Sequence, residues 1–277
     1  TVSDISRGDM LYYLVKYYQH SNIKLAIGGK IPKNIHTLIK KYLVKKSTHR
    51  IPKIALNQNN KEHSQIILNQ YHRYSESNEY QIRSIRRSNM SQVLMSIAFP
   101  CEGIFDKNQY EIDIMDNIFV SNMSSRLFIE LREKNGLVYE VSSDYVLYEE
   151  LGYYSIITRF VPKDLEKVLR IIIKNIKKIK NKLVSPSELS DAIESQVNSE
   201  KMASDNILDL TEFYGEQFLL KPRITTLDEN IDKYKKVKAD KIQNVCRDLF
   251  NFSLMNIVTI GNLNQNMLKK VISKIRL

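Results

Sequence analysis

Arg132 and Tyr139 are the side chains whose types and spacing lend themselves to chemistry in this sequence. They stand on either side of Asn135-Gly136, within SSRLFIELREKNGLVYEVSSDY at residues 124–145. A guanidinium and a phenol are both hydrogen-bond donors, suited to an oxygen that carries negative charge. By residue type alone, Arg132 reads as a surface charge and Tyr139 as a strand aromatic. Their spacing gains meaning if an amphipathic helix ends before the turn and a strand starts after it. The apolar residues around the turn follow that pattern, and Gly136 tolerates the positive φ that such a turn needs.

The other reactive side chains form no constellation. The histidines are His20, His36, His49, His63 and His72, and no two are four or five apart. Neither H-x-x-E-H nor H-E-x-x-H therefore occurs, and no metal ligands are assigned in this chain. Cys101 and Cys246 fit no C-x-x-C or zinc spacing. Their isolation predicts reduced, packed thiols in an intracellular protein.

The chain has 277 residues, 43% hydrophobic and 26% charged, enough for one large domain or about two with a substantial core. Eight Gly and six Pro are few, which fits long regular elements. A formal charge of +11 raises the alternative of a basic nucleic-acid-binding module. The lysines are spread through helical stretches such as IIIKNIKKIKNKL, as solvated faces rather than a concentrated patch, and no nucleic-acid-binding motif accompanies them. No apolar run reaches the ~20 residues of a membrane span, so no membrane partner is expected. The sequence opens on Thr1 rather than Met, and the expectation is a portion of a longer product.

An internal repeat gives the organisation. LAIGGKIPKNIHTLIKKYL at 25–43 matches the pattern of IVTIGNLNQNMLKKVISKI at 257–275, with Gly29 on Gly261, Asn34 on Asn266 and Leu43 on Ile275. Upstream, Met10, Tyr13, Leu14 and Tyr17 fall on Ile242, Val245, Cys246 and Leu249. Each copy reads helix, strand, glycine turn, helix. Two tandem domains of one kind are predicted, the first truncated by on the order of 180 residues. Residues 1–44 would be the end of the first domain, 45–62 a polar linker, and 63–277 the second domain.

Within that frame, helices are expected at 5–19 and 32–44 and a strand at 23–28. Strands follow at 64–70, 80–86 and 92–99, then one helix over about 107–133. Two aromatic-rich alternating strands come after the turn. Pro162 opens a helix to about 182, and Ser185, Pro186 and Glu188 mark the start of further helices over 188–219. The fold class is α+β: tandem domains with a largely antiparallel sheet covered on one face by helices.

The stretch SSRLFIELREKNGLVYEVSS, Ser124 to Ser143, closely resembles the second-domain signature of the pitrilysin/insulinase family of zinc peptidases. The resemblance is to its mitochondrial-processing-peptidase-like branch, whose signature reads S-S-R-L-F-x-x-[IL]-R-E-K-x-G-L-x-Y-x-[VI]-x-S. The element order extends the likeness over almost the whole chain. One departure is FVSNM at 119–123, where the family often places glycines.

The resemblance implies tandem α+β domains facing each other across a chamber. It implies zinc on an inverted H-x-x-E-H helix of the first domain, absent from this chain. Arg132 and Tyr139 are then the second domain's contacts to a peptide or unfolded polypeptide substrate. Peptide hydrolysis builds negative charge on the carbonyl oxygen, and preorganised donors there lower the barrier. The implied function is the C-terminal portion of a zinc endopeptidase, with zinc in an N-terminal zinc-bearing domain or subunit and no activity in this chain alone. The alternative is a non-catalytic subunit that completes another subunit's chamber.

Overall fold

The computed structural model describes residues 2–43, 81–148 and 151–275. The expected linker at 45–62 and strand at 64–70 lie outside the described residues. Those described form α1 (Arg7–Tyr17), α2 (Ile35–Tyr42), β1 (Gln81–Arg86), β2 (Val93–Glu102) and α3 (Gln109–Asp116). Then come β3 (Val138–Leu147), β4 (Leu151–Phe160), α4 (Leu165–Asn181), α5 (Pro186–Asp205) and α6 (Ile207–Leu220). The chain continues with α7 (Leu227–Tyr234), α8 (Ala239–Leu249), β5 (Asn256–Gly261) and α9 (Gln265–Ile275). They divide into two compact units, one within 1–75 and 203–224, the other within 76–202 and 225–277.

The larger unit is α+β. Its sheet has the order β1-β5-β2-β4-β3. β1 runs parallel to β5, and the other neighbours are antiparallel. The period-2 pattern of β2 sends Val93, Met95, Ile97 and Phe99 into the core, while Leu94, Ser96 and Ala98 stay partly exposed. In α4 the isoleucines Ile172, Ile173, Ile176 and Ile179 are buried, and Lys174, Lys177 and Lys178 face solvent. The lysine-rich run is thus one solvated helix face. α5 starts as its sequence predicts: the Glu188 N–H donates to Ser185 Oγ at 3.2 Å, and the Ser185 N–H donates to Glu188 Oε2 at 2.9 Å. α7 was not among the expected helices. Thr226 and Glu229 form a capping box at its start, and that T-x-x-E spacing was its legible signal.

The helix expected over 107–133 is not continuous. α3 passes into π-helical turns over Asn117–Ser121, the helix is interrupted over 122–125, and a second π-helical stretch covers Phe128–Glu133. The cause is local. The Ser124 N–H donates to Asn122 Oδ1 at 3.2 Å, and Ser125 Oγ donates to the Val120 carbonyl at 2.8 Å. Short polar side chains that bond nearby backbone compete with the helical ladder.

In the smaller unit, α1 begins with a capping box made by Ser6 and Asp9. α1 and α8 occupy matching positions in the repeat, and the aligned Gly29 and Gly261 both have positive φ, 110° and 148°. The copies differ in burial: Met10 is 61% exposed where its counterpart Ile242 is 0% exposed. Residues 23–28, expected as a strand, pair with no strand among the described residues. Their counterpart β5 is a strand because β1 and β2 flank it on both sides. A strand is completed by its neighbours' hydrogen bonds, which local sequence does not supply.

Candidate functional site

The segment between the helix break and β3 is built from short interactions at each motif position. Leu127 and Leu131 are fully buried and anchor the helical stretch. Arg126 donates from Nε and Nη2 to Glu188 Oε1 and Oε2 at 2.8 and 3.0 Å, a bidentate pair that fixes this stretch to the start of α5. The same carboxylate caps α5, and the Arg126 guanidinium holds it down to about 2.

The stretch ends in a wide last turn. The Lys134 N–H donates to the Ile129 carbonyl at 2.9 Å, a π-helical bond. The Gly136 N–H then donates to the Arg132 carbonyl at 3.0 Å, enclosed by a Leu137 N–H bond to the Leu131 carbonyl at 2.9 Å. This nested pair resembles the usual glycine-terminated helix end, opened by one residue by the π turn. Gly136 has φ 58°, the left-handed conformation that L side chains resist. Asn135 Nδ2 donates to the Glu130 carbonyl at 2.6 Å and closes the turn from outside.

β3 begins immediately with an irregularity. Val138 pairs with Phe160 and Val141 with Thr158, so Tyr139 and Glu140 together face the single residue Arg159. This is a β-bulge on an edge strand, a device that re-aims side chains. Val138 and Val141 are buried, while Tyr139 and Glu140 both point to solvent. The carbonyl of Glu140 accepts a 2.8 Å hydrogen bond from Thr158 Oγ1.

The two sequence-predicted site residues are brought together. Arg132 Cζ lies 5.2 Å from the ring centroid of Tyr139 and 4.9 Å from that of Phe128. Glu133 Oε1 is 3.8 Å from Arg132 Nε, a loose ion pair. Tyr139 is 79% exposed, so the phenol is presented outward beside a guanidinium. Such a pair can donate to an anionic or strongly polarised oxygen. The sequence did not point to Thr158, to Glu188 as the partner of Arg126, or to the bulge. Two outward residues flanked by two inward valines, V-Y-E-V, carried a trace of the bulge.

The described residues do not fit zinc. No group of three or more His, Cys, Asp and Glu side chains converges among them. His20 and His36 are exposed, and the other three histidines lie outside the described residues. Both cysteines are free thiols, and burial pushes each up to about 12, which leaves them poor nucleophiles at neutral pH. Among the described residues, no helix is long and apolar enough to cross a membrane.

Residues 4–196 match the family described as the peptidase M16 inactive domain. The chain is 25% identical over 180 residues to the uncharacterized zinc protease YmxG of Bacillus subtilis (strain 168), covering 64% of this chain and 44% of that protein. It is 22% identical over 260 residues to an uncharacterized zinc protease of Rickettsia bellii (strain RML369-C), covering 93% of this chain and 58% of that one. The chain thus spans about half the length of these curated relatives. Among solved structures, a protease from Helicobacter pylori superimposes with a TM-score of 0.78 at 15% identity, covering 94% of this chain and 60% of that one. A chain of Complex III2 from Candida albicans has a TM-score of 0.60 at 16% identity, covering 69% and 49%. At these identities the structural likeness speaks for the fold alone.

Proposed function

The chain belongs to the peptidase M16 family, through that family's inactive domain, and from this premise we propose that it is the C-terminal portion of a zinc-dependent endopeptidase of the mitochondrial-processing-peptidase-like branch. Its own contribution is Arg132 and Tyr139, which contact a peptide or unfolded polypeptide at a zinc site carried by an N-terminal domain or subunit. The carrying observation is the 5.2 Å approach of the Arg132 guanidinium to the exposed Tyr139 ring, on a turn fixed from both sides. The zinc protease names of its relatives support the metal.

The chemistry asked of this chain is donation of hydrogen bonds. As the carbonyl of a scissile peptide gains negative charge, the Tyr139 hydroxyl meets the oxygen and the Arg132 guanidinium orients the neighbouring substrate backbone. Both donors stand ready before substrate arrives, so little reorganisation is needed during reaction. We assign residues 1–44 to the end of a first domain, 45–62 to a linker and 63–277 to the second domain. The exposure of Met10 against the burial of Ile242 supports a missing cover over the first copy. The free thiols, Cys246 buried and Cys101 half-buried, are in keeping with an intracellular setting.

A non-catalytic subunit that completes a partner's site is the second reading. The absence of an H-x-x-E-H motif from this sequence is compatible with it. Expression of the complete protein decides between them. One zinc per chain and cleavage of a quenched fluorescent peptide, both lost with an upstream H-x-x-E-H, support the enzyme. A complete protein that holds no zinc and gains activity only with a second subunit supports the partner. A complete protein inert in both settings overturns both.

A further inference from the structure

Tyr139 owes its outward aim to a two-for-one bulge, and the structure offers a side chain that holds it. Among the described residues, β3 is the last strand of the sheet and pairs with β4 alone, so no second described neighbour fixes its register. In a regular ladder running back from Val141–Thr158, Glu140 would face Arg159 and Tyr139 would face Phe160, which is 1% exposed, so the phenol would turn to the buried face. Two things oppose that slip. One is the burial of Val138, which would be turned outward. The other is the hydroxyl of Thr158, which is 2% exposed and donates to the Glu140 carbonyl at 2.8 Å inside the bulge. A buried hydroxyl needs a partner, and this one finds it in the irregular part of the strand.

We propose that Thr158 is a positioning residue for Tyr139: its hydroxyl pins the bulge that turns the phenol to the same side as the Arg132 guanidinium. Burial of Val141 sets the register of β3 as a whole, and the Thr158 bond fixes the local backbone of Tyr139-Glu140. Loss of the bond leaves the sheet intact and lets the ring leave Arg132. The catalytic consequence rests on the reading of Tyr139 as a substrate contact, whereas the geometric claim stands without it.

The test uses the complete protein labelled with 15N-arginine, and it follows the side-chain Nε–Hε resonance of Arg132, which feels the Tyr139 ring. Arg132→Lys assigns the resonance, and Tyr139→Leu gives its position with the ring removed. Thr158→Val keeps shape and removes the hydroxyl; it is expected to move the resonance most of the way to the Tyr139→Leu position. Thr158→Ser restores the hydroxyl and is expected to stay at the wild-type position. If the valine variant does not fold, Thr158→Ala is read in the same way. A wild-type resonance without the hydroxyl overturns the proposal, whatever activity does.

The second readout is hydrolysis of a quenched fluorescent peptide cleaved by the wild-type protein. Thr158→Val is expected to lower kcat about 10-fold with KM little changed, recovered by serine, and to add nothing to Tyr139→Phe. A moved resonance with Tyr139→Phe itself fully active overturns the substrate-contact reading and leaves the positioning intact. A moved resonance with an impaired Tyr139→Phe and a fully active Thr158→Val overturns the catalytic part of the positioning.

Discussion

The guanidinium carbon of Arg132 lies 5.2 Å from the ring centroid of Tyr139, with six residues between them in sequence. Neither regular structure would bring them so close. Seven steps along a strand span about 23 Å, and seven along a helix about 10 Å. Here a helix end, a left-handed Gly136 and a bulge stand in immediate succession around the two residues.

On the proposed reading of Tyr139 as a donor to the oxyanion, Tyr139→Phe in the complete protein is expected to lower kcat by about 10²- to 10³-fold with little change in KM, because such an oxyanion is fully formed only in the transition state. Steady-state kinetics run beside a melting curve check it. Unchanged kcat would make the turn architecture only. Arg132→Lys is expected to impair turnover too, since an ammonium lacks the planar fork, with part of its effect on KM.

Gly136→Ala meets no steric obstacle, as nothing lies within 4 Å of the added methyl. Its cost is conformational: φ 58° is left-handed, and an L residue there loses roughly 1–2 kcal/mol. Denaturant titration should show that loss, and Gly136→Asn should lose less. Equal stability of all three forms would show that the turn relaxes to another conformation.

The bond between Arg126 and Glu188 carries a pH signature. The Glu188 carboxyl falls from 4.5 to about 2 because Arg126 bonds its charged form. A depressed carboxylate stabilises the fold above its unfolded value, and that contribution is lost as pH falls from about 4.5 toward about 2. Glu188→Gln is therefore expected to be less stable than wild type at pH 7 and to lose less on acidification across that window. Parallel acid-unfolding profiles for the two proteins would refute this.

Metal analysis of the isolated 277-residue chain is expected to find no stoichiometric zinc, and the chain should cleave no peptide. The grounds are the histidine spacing and the lack of a converging ligand group among the described residues. One tightly held zinc per chain would place the metal site within these residues after all.

The sequence alone carried much of the fold. Binary patterning marked β2 and α4 because burial enforces periods of 2 and 3.6. Ser185-Pro186-Ser187-Glu188 announced the start of α5 because its capping bonds are local. The motif singled out Arg132 and Tyr139, and residue order fixed Gly136 between them.

Other features were decided only by the tertiary structure. Residues 23–28 and 256–261 have similar sequences, yet only the second is a strand, because β1 and β2 flank it. The apparent long helix over 107–133 breaks where Ser125 reaches the Val120 carbonyl, a competition that hydrophobic periodicity does not register. Glu188 looked like a cap and is also the partner of Arg126, 62 residues away. The aim of Tyr139 depends on two residues facing one across to β4, with Thr158 bonded into the gap. Register between strands is set by contacts distant in sequence, so the sequence named the two donors and the folded sheet placed them side by side.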